Sequence, residues 1–388
     1  MTRLIDLPTP ALVVDRQRFD FNVATMAAVR PGLTLRPHIK AHKSTALARE
    51  LAKVGHTAFT CATPREVIGM ARAGLGSDLL LANETVDERR LRAMAELLNS
   101  ARITVAIDSE ITASLAAECG IRDVLIDVNV GMPRCGIAPE RAASLASFAV
   151  SRGLNVRGVM GYEGHLMTIG DRDEQRDKVR EAMSKLVRCF DEVRAVSDDN
   201  CTIISAGGTG TFDLYDPADP ILARINEVQA GSYALMDSHY GALDLPFQQA
   251  LFVVGTVISV SDGWAVIDVG LKSLGMDHGN PTIAGASIWF CSDEHTTFST
   301  KDGRLLPQVG ERILVQPAHV DPTVALHEAM HIVDGINAET VKATETASGI
   351  ETATGAGTRS VSGTRAVSAT RAVAGEITGI WPIDLRHW

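Results

Sequence analysis

The ten residues "LRPHIKAHKS" place four nitrogen bases close together: His38, Lys40, His42 and Lys43. A lysine can attack a carbonyl carbon when burial or a neighbouring cation lowers the pKa of its amine. The alternative is that both lysines are solvated and that both histidines are ordinary polar residues. This segment alone fits either interpretation, so the rest of the sequence must decide between them.

Three further segments carry residues suited to binding an anion or an aromatic ring. "NVGMPRCG" contains Arg134, and "GYEGH" contains Tyr162 and His165. The glycines and threonines of "SAGGTGT", among them Gly208 and Thr209, leave backbone N–H groups open to an anion such as a phosphate. A simple turn explains this glycine cluster equally well.

The segment "AHVDPT" contains a histidine and an acid two positions apart, His319 and Asp321. In an extended segment both side chains point to the same side. An imidazole and a carboxylate together suit a divalent metal such as Mn, Zn or Mg. An ordinary surface hydrogen bond is the alternative.

Short β-like runs alternate with amphipathic stretches over the first 240 residues. The eight runs are "LRPHIK" (35–40), "AFTCAT" (58–63), "DLLLAN" (78–83), "ITVAID" (103–108), "VLIDVNV" (124–130), "VRGVMGY" (156–162), "TIISAGG" (202–208) and "NEVQAGSY" (226–233). Between them, Ser44 and Pro64 mark helix starts, while Gly55 and Gly74 mark helix ends. This alternation predicts an α/β fold with a (β/α)8 TIM barrel, although a doubly wound open sheet shows the same pattern.

In a barrel of this type, reactive groups come from the carboxyl ends of the strands, because the βα loops meet there. Four different predicted strands end at or just before a distinctive residue or segment: Lys40, Arg134, Tyr162 with His165, and "SAGGTGT". We therefore expect them to meet at one mouth. A lysine beside a phosphate cradle is typical of pyridoxal phosphate enzymes, in which the lysine carries the cofactor.

After about residue 245 the chain changes to strands without intervening helices, which predicts a separate β domain. We expect a barrel over 17–243 and a β domain over 244–388, to which the early run "ALVVDR" within 1–16 could add a strand. Residues 338–375 are rich in Ala, Thr, Ser, Gly and Val and contain the repeat "GTRSVS", "GTRAVS", "ATRAVA". Because they offer few large apolar groups, we interpret them as a mobile, tolerated insertion.

Composition narrows the classes of partner. The 388 residues carry a net charge of −10, so no broad basic surface is available and nucleic acid is not expected as a partner. The sequence has no run of 18 apolar residues and no signal-peptide pattern at its start, so we expect neither membrane association nor export but a cytoplasmic location. The six cysteines lack CxxC spacing, which favours reduced thiols.

Several motifs occur in the order seen in one known family: "TPALVVD", "RPHIKAHK", the Arg-Cys-Gly of "GMPRCG", "SAGGTGT", "GSYALMD", "DVGLKS", "CSDEH" and "HVDPT". The chain resembles the D-threonine aldolase and D-serine dehydratase-like family, pyridoxal phosphate enzymes of the alanine racemase fold. The resemblance spans nearly the whole chain outside 338–375. It implies an N-terminal barrel, a following β domain, a homodimer, and Lys40 as the residue that carries the cofactor.

The resemblance also implies a metal at His319 and Asp321. Dehydratases of the family tend to have cysteine where Asp321 stands, and its aldolases have aspartate, so this residue favours an aldolase. The family's aldolases have a histidine, thought to take the β-hydroxyl proton, six residues beyond the tyrosine of "GYEG"; here that position is Thr168. The nearby His165 is then a candidate base, with a structural hydrogen bond at the barrel rim as its alternative.

Together these features predict cleavage of a D-3-hydroxy amino acid such as D-threonine to glycine and an aldehyde. Arg134 is a candidate to bind near the cofactor's phenolic oxygen or the substrate carboxylate, and Tyr162 is a candidate to pack against the cofactor ring. Gly208, Thr209 and Tyr233 are candidates for the phosphate cradle, although Tyr233 could equally be a core residue. Two alternatives stay open: a dehydratase acting on D-serine or 3-hydroxyaspartate, and a non-catalytic pyridoxal phosphate carrier.

Overall fold

A computed structural model of the chain describes residues 2–197, 199–301, 304–340 and 371–387. Its helices are α1 (Arg16–Val29), α2 (Thr45–Lys53), α3 (Pro64–Arg72), α4 (Glu88–Ala95), α5 (Glu110–Glu118), α6 (Ala142–Ser151), α7 (Arg172–Ala195) and α8 (Val320–Ala325). Its strands are β1 (Ala11–Asp15), β2 (Ala58–Cys61), β3 (Asp78–Leu81), β4 (Ile103–Ile107), β5 (Asp123–Asp127), β6 (Asn155–Met160), β7 (Ile203–Ala206), β8 (Glu227–Val228), β9 (Leu251–Ser261), β10 (Trp264–Ile267), β11 (Thr282–Ile283), β12 (Ala286–Cys291), β13 (Thr296–Thr300), β14 (Arg312–Gln316), β15 (Ala329–Thr340) and β16 (Arg371–Pro382). All six cysteines are free thiols.

Seven parallel strands form the first sheet, in the sequential order β2 to β8. Residues 35–38 lie between its two ends, with single parallel bridges from Leu35 to Val228 and from His38 to Thr60. The predicted first strand therefore closes the barrel without forming a continuous ladder. On the β8 side Arg36 and His38 donate to Val228 and Ala230, whereas on the β2 side Pro37 accepts from Thr60 but has no N–H to donate. The predicted α/β barrel architecture is confirmed.

Local signals read from the sequence set the helix starts in this barrel. The Ser44 hydroxyl accepts a hydrogen bond from the N–H of Leu47, and the Thr63 hydroxyl accepts one from Glu66 with Pro64 at the first helical position. These caps satisfy N–H groups that have no partner within the helix. Strand β2 is buried along its whole length, as expected where a strand lies between the barrel interior and a helix layer.

The second sheet is mostly antiparallel and follows the path β12-β13-β10-β9-β1-β15-β16. Strand β1 lies inside it, antiparallel to β9 and parallel to β15. Strand β14 pairs with both β9 and β11. Within the described part of the chain, none of the helices is both long enough and apolar enough to cross a membrane.

The predicted insertion over 338–375 begins and ends in regular structure. Residues 338–340 belong to β15 and residues 371–375 to β16, and Thr340 pairs directly with Arg371 in the antiparallel register. The remainder, 341–370, lies outside the described residues.

Candidate active site

Lys40 lies at the carboxyl end of the segment that closes the barrel. Residues Ile39–Ala41 form one turn of 3-10 helix directly after the paired residues, and this turn brings Lys40 to the mouth. The Lys40 Nζ lies 2.5 Å from Oδ1 of Asp321, which belongs to α8 of the other domain. The predicted cofactor lysine and the predicted metal ligand therefore meet in three dimensions.

The other three bases of the opening segment make contacts of their own. The imidazole of His38 accepts a hydrogen bond at Nδ1 from the N–H of Lys40 (3.4 Å), and that of His42 accepts one from the N–H of Ser44 (3.1 Å). Burial lowers the pKa of His42 to about 3, so this ring is neutral. Lys43 forms an ion pair with the fully buried carboxylate of Glu66. Only Lys40 presents an amine to Asp321.

A cavity of about 260 Å³ opens at the carboxyl ends of the barrel strands. It is lined by five of the predicted residues, namely Lys40, Arg134, Tyr162, Gly208 and Thr209. The guanidinium carbon of Arg134 lies 5.3 Å from the centroid of the Tyr162 ring, within cation–π range.

The glycine-rich loop approaches its neighbours closely. Gly207 has a φ of +82°, and a Cβ there would lie 2.7 Å from the hydroxyl of Tyr215. The buried carboxylate of Glu163 fixes the loop by accepting hydrogen bonds from the N–H of Gly207 (3.1 Å), the hydroxyl of Thr211 (2.8 Å) and that of Tyr215 (2.6 Å). A glycine-rich loop beside a lysine at one cavity fits pyridoxal phosphate.

His319 and Asp321 are correctly spaced for a shared ion. The His319 Nε2 lies 3.6 Å from Oδ2 of Asp321. If an ion lay about 2.1 Å from both atoms, the angle Nε2–ion–Oδ2 would be about 120°, close to the angle of a tetrahedral site. The residues present therefore fit a divalent metal.

Asp277 and His278 lie beside this pair. The Nδ1 of His319 lies 2.7 Å from Oδ2 of Asp277, so the carboxylate accepts a hydrogen bond from the Nδ1–H and leaves the lone pair of Nε2 free to bind an ion. The His278 ring stacks on His319 with centroids 3.9 Å apart and planes within 8°. Because an ion must lie in the plane of each imidazole that binds it, two stacked parallel rings cannot share one ion. As the rings stand, His278 does not point its nitrogen at the same ion as His319, although Asp277, His278 and His319 offer ligand atoms within 4.8 Å of one another.

Charge within the site is balanced between Lys40 and Asp321. Burial opposes the ionisation of Asp321, but the ammonium of Lys40 outweighs it and lowers the pKa of Asp321 to about 2. Burial likewise disfavours charge on Lys40, yet the carboxylate of Asp321 raises the pKa of Lys40 above its usual value. A reactive lysine is expected to have a lowered pKa when it is buried or lies beside a cation. The nearest charged neighbour of Lys40 is instead the carboxylate of Asp321, so the pKa of Lys40 is raised.

Two predicted residues lie away from the cavity. His165 is exposed on a 3-10 turn (Gly164–Leu166) at the rim and does not line the cavity. The Tyr233 side chain is fully buried against Phe247, at a centroid distance of 5.6 Å, and is absent from the cavity lining. The contact of Tyr233 with the predicted cradle is through its backbone N–H, which donates to the hydroxyl of Thr209 (3.1 Å).

The cavity wall also contains polar residues that sequence reasoning missed. The side-chain amide of Gln229 donates to the Ser205 hydroxyl (2.9 Å), which donates to Glu227 (2.7 Å). Asp127 and Glu84 line the opposite side, where burial and the charge of Glu84 hold the pKa of Asp127 well above its usual value. Glu84 directly follows the predicted strand 78–83, and that position was a signal for it. Asp127 and Gln229 lie inside the predicted runs 124–130 and 226–233, and only the observed bounds of β5 and β8 place them at strand ends.

The barrel, the lysine at its mouth and the attached β domain define the alanine racemase class of fold. Residues 14–239 match the family model "Alanine racemase, N-terminal domain", and residues 250–333 match "Putative serine dehydratase domain". The chain belongs to the D-threonine aldolase and D-serine dehydratase-like family of fold-type III pyridoxal phosphate enzymes.

Relatives of known activity are lyases acting on D-3-hydroxy amino acids. The chain is 32% identical to a D-threonine aldolase of Arthrobacter sp over 352 residues, which cover 86% of this chain and 91% of that protein. It is 27% identical to a 3-hydroxy-D-aspartate aldolase of Paracoccus denitrificans (strain Pd 1222), with 87% and 91% covered. It is 26% identical to a D-threo-3-hydroxyaspartate dehydratase of Delftia sp. (strain HT23), with 71% and 75% covered.

A solved structure shows the same fold over almost the whole chain. The crystal structure of D-threonine aldolase from Filomicrobium marinum aligns with a TM-score of 0.82 at 30% identity, covering 99% of this chain and 96% of that one. A dehydratase cysteine variant solved "in the metal-free form" aligns with a TM-score of 0.76 at 23% identity, covering 86% and 96%, and shares the fold.

Proposed function

We propose that this protein is a pyridoxal phosphate- and divalent metal-dependent aldolase that cleaves a D-3-hydroxy amino acid, resembling D-threonine, to glycine and an aldehyde. The observation that supports the proposal is the 2.5 Å contact between Lys40 and Asp321, because a cofactor carried by Lys40 would then lie beside an ion held by His319 and Asp321. The 32% identity to a D-threonine aldolase supports the same assignment.

Each residue has a role that follows from its position. Lys40 would carry the cofactor, the loop at Gly208 and Thr209 would bind its phosphate, and Tyr162 would pack against its ring. Arg134 would bind an anionic oxygen of the cofactor or the substrate carboxylate. Bound pyridoxal phosphate would accept the electron pair of the broken Cα–Cβ bond.

His319 and Asp321 would hold the ion against the substrate's β-hydroxyl. A bound divalent cation, Mn, Zn or Mg, would supply Lewis-acid polarisation of that hydroxyl and so make its proton easier to remove. His165 is not supported as the base by its exposed position outside the cavity lining. The proton acceptor would be His165 acting from the rim, another group at the metal side of the cavity, or water held by the metal.

Dehydration of a D-3-hydroxy amino acid is the second candidate, favoured by the 26% identity to a dehydratase. The two reactions differ in the bond that breaks, and Asp321 in place of cysteine supports the aldolase. A panel of D- and L-3-hydroxy amino acids incubated with enzyme, cofactor and Mn²⁺ separates them by product mass. Glycine with an aldehyde supports the proposal, whereas a 2-oxo acid with ammonia assigns the dehydratase; no product from any substrate supports a non-catalytic carrier.

The site of cofactor attachment is testable independently of turnover. Borohydride reduction followed by peptide mapping should place a pyridoxyl label on Lys40; a label on Lys43 would contradict the assignment. The proposal also takes the protein to be a cytoplasmic homodimer, as the resemblance implies. Light scattering after size-exclusion chromatography measures the number of subunits.

A further inference from the structure

One carboxylate belongs to both halves of the site. Asp321 Oδ1 contacts the Nζ of Lys40 at 2.5 Å, while Oδ2 lies 3.6 Å from Nε2 of His319 and 3.4 Å from the hydroxyl of Ser232. The side chain of Asp321 is 15% exposed and that of Lys40 is 42% exposed, so the carboxylate itself is largely shielded while the ammonium keeps partial contact with solvent. The lysine and an ion at His319 must therefore interact through this single group.

We propose that Asp321 couples cofactor attachment to metal binding: the ammonium of free Lys40 competes with the divalent ion for this carboxylate, so attachment of the cofactor strengthens metal binding. This inference rests on the proposed function, since it takes Lys40 as the cofactor lysine and His319 with Asp321 as the metal ligands. It goes further because it makes the two binding events interdependent.

The chemistry of attachment supplies the switch. The Lys40 amine adds to the cofactor aldehyde, a C=N bond forms, and the aldehyde oxygen leaves as water with two of the three ammonium hydrogens. The nitrogen then has at most one N–H, where the ammonium had three. Lys40 consequently loses most of its capacity to donate to Asp321, and both carboxylate oxygens become available to the ion.

The electrostatics act in the same direction. Without the cofactor, an ion bound between His319 and Asp321 would lie close to a mobile primary ammonium that binds the same carboxylate, and the two cations would repel each other. Linkage makes the effect reciprocal, so the metal should also strengthen cofactor binding by the same factor. Coupling between sites is typically about 5- to 150-fold, and we expect a value of about tenfold here.

The test measures the affinity for Mn²⁺ alone, by calorimetry or by the electron paramagnetic resonance signal of unbound Mn²⁺. It compares the holoenzyme, freed of unbound cofactor by gel filtration, with enzyme stripped of cofactor. We expect the holoenzyme to bind Mn²⁺ about tenfold more tightly. Cofactor-free Lys40→Ala protein, and Lys40→Met protein as a second variant that retains the side-chain volume, should bind Mn²⁺ as tightly as the wild-type holoenzyme does.

Lys53→Ala is the matched control, because Lys53 is exposed on α2 and its amine contacts Glu50 at 2.7 Å. It should retain the wild-type difference between stripped and loaded enzyme. Equal Mn²⁺ affinity in stripped and loaded wild-type enzyme would overturn the coupling while leaving the proposed function intact. Weak Mn²⁺ binding by folded cofactor-free Lys40→Met would overturn the role of the ammonium. Absence of Mn²⁺ binding together with metal-independent turnover would overturn the metal site and the coupling together.

Discussion

Replacement of Asp277 should weaken metal binding even though this residue does not reach the ion. Its Oδ2 lies 2.7 Å from Nδ1 of His319, and a carboxylate is purely an acceptor, so it holds the imidazole in the tautomer whose Nε2 carries the lone pair. In Asp277→Ala the imidazole can rotate and exchange tautomers, and part of its population cannot bind an ion. Asp277→Asn retains an acceptor oxygen without the charge.

The size of the effect follows from exposure. Carboxylates that orient a ligating histidine change metal affinity by about 10- to 100-fold when removed. The Asp277 side chain is 54% exposed while that of His319 is 19% exposed, so water partly replaces the lost acceptor. For Asp277→Ala we therefore expect a loss of metal affinity at the lower end of this range, about tenfold or roughly 1.4 kcal/mol. For Asp277→Asn we expect a smaller loss of metal affinity.

Titration of Mn²⁺ into the three holoenzymes provides the assay. Asp293→Ala serves as control, because Asp293 is an equally acidic, 73% exposed residue of the same domain whose nearest cation is Lys272 at 3.9 Å. Wild-type affinity in Asp277→Ala would refute the tautomer argument. A loss in Asp293→Ala as large as that in Asp277→Ala would attribute the effect to general surface charge.

Three further predictions concern removal of the metal, the ion pairs of Asp78 in the barrel, and the hairpin formed by β15 and β16. Chelation of the holoenzyme in excess cofactor should abolish turnover while absorbance shows the cofactor still attached to Lys40; full turnover after chelation would remove the case for the metal. Burial would raise the pKa of Asp78, but ion pairs with Arg157 and Arg36 lower this pKa to about 2, against 3.8 in the unfolded chain. The ionised carboxylate therefore stabilises the fold fully above pH 3.8, and this contribution is lost as the pH falls toward 2. Asp78→Asn should cost about 2 kcal/mol at pH 7 by denaturant titration, and the difference should shrink below pH 4; a difference independent of pH would contradict the ion-pair argument. Because Thr340 pairs directly with Arg371, replacing 341–370 by an Asn-Gly turn should preserve melting temperature and activity, and a collapse of either would show that the segment has a role.

The sequence was most informative where a local signal has one structural solution. Ser44 and Pro64 mark the helix starts that they were expected to mark: the Ser44 hydroxyl caps α2, and Pro64 is the first residue of α3, whose cap is Thr63. The first barrel strand was harder to define. Its alternation of apolar and polar residues is that of a strand, but the segment makes only single bridges to the neighbouring strands β8 and β2. The sequence does not show how few hydrogen bonds suffice to close a barrel.

In the site, strand ends predicted which residues meet, but not where each side chain points after the strand. Tyr162 lines the cavity, yet Glu163 turns to the glycine loop and His165 lies exposed at the rim, because the chain leaves β6 through an irregular turn. Asp277 could not be paired with His319 from sequence. Their contact joins positions 42 residues apart through the fold of the β domain, and no periodicity links them.

The position of β1 between β9 and β15 has a consequence for how the protein is made. Strand β1 precedes the barrel in the chain, and both of its edges are completed by strands that follow the whole barrel. While the barrel is being made, β1 therefore exposes unpaired N–H and C=O groups on both sides, a state that favours edge-to-edge association between chains. We expect a chain cut after the barrel to keep both edges of β1 unpaired and to associate with other chains through them. Strands β9 and β15 join β1 from its two sides and so make one continuous sheet.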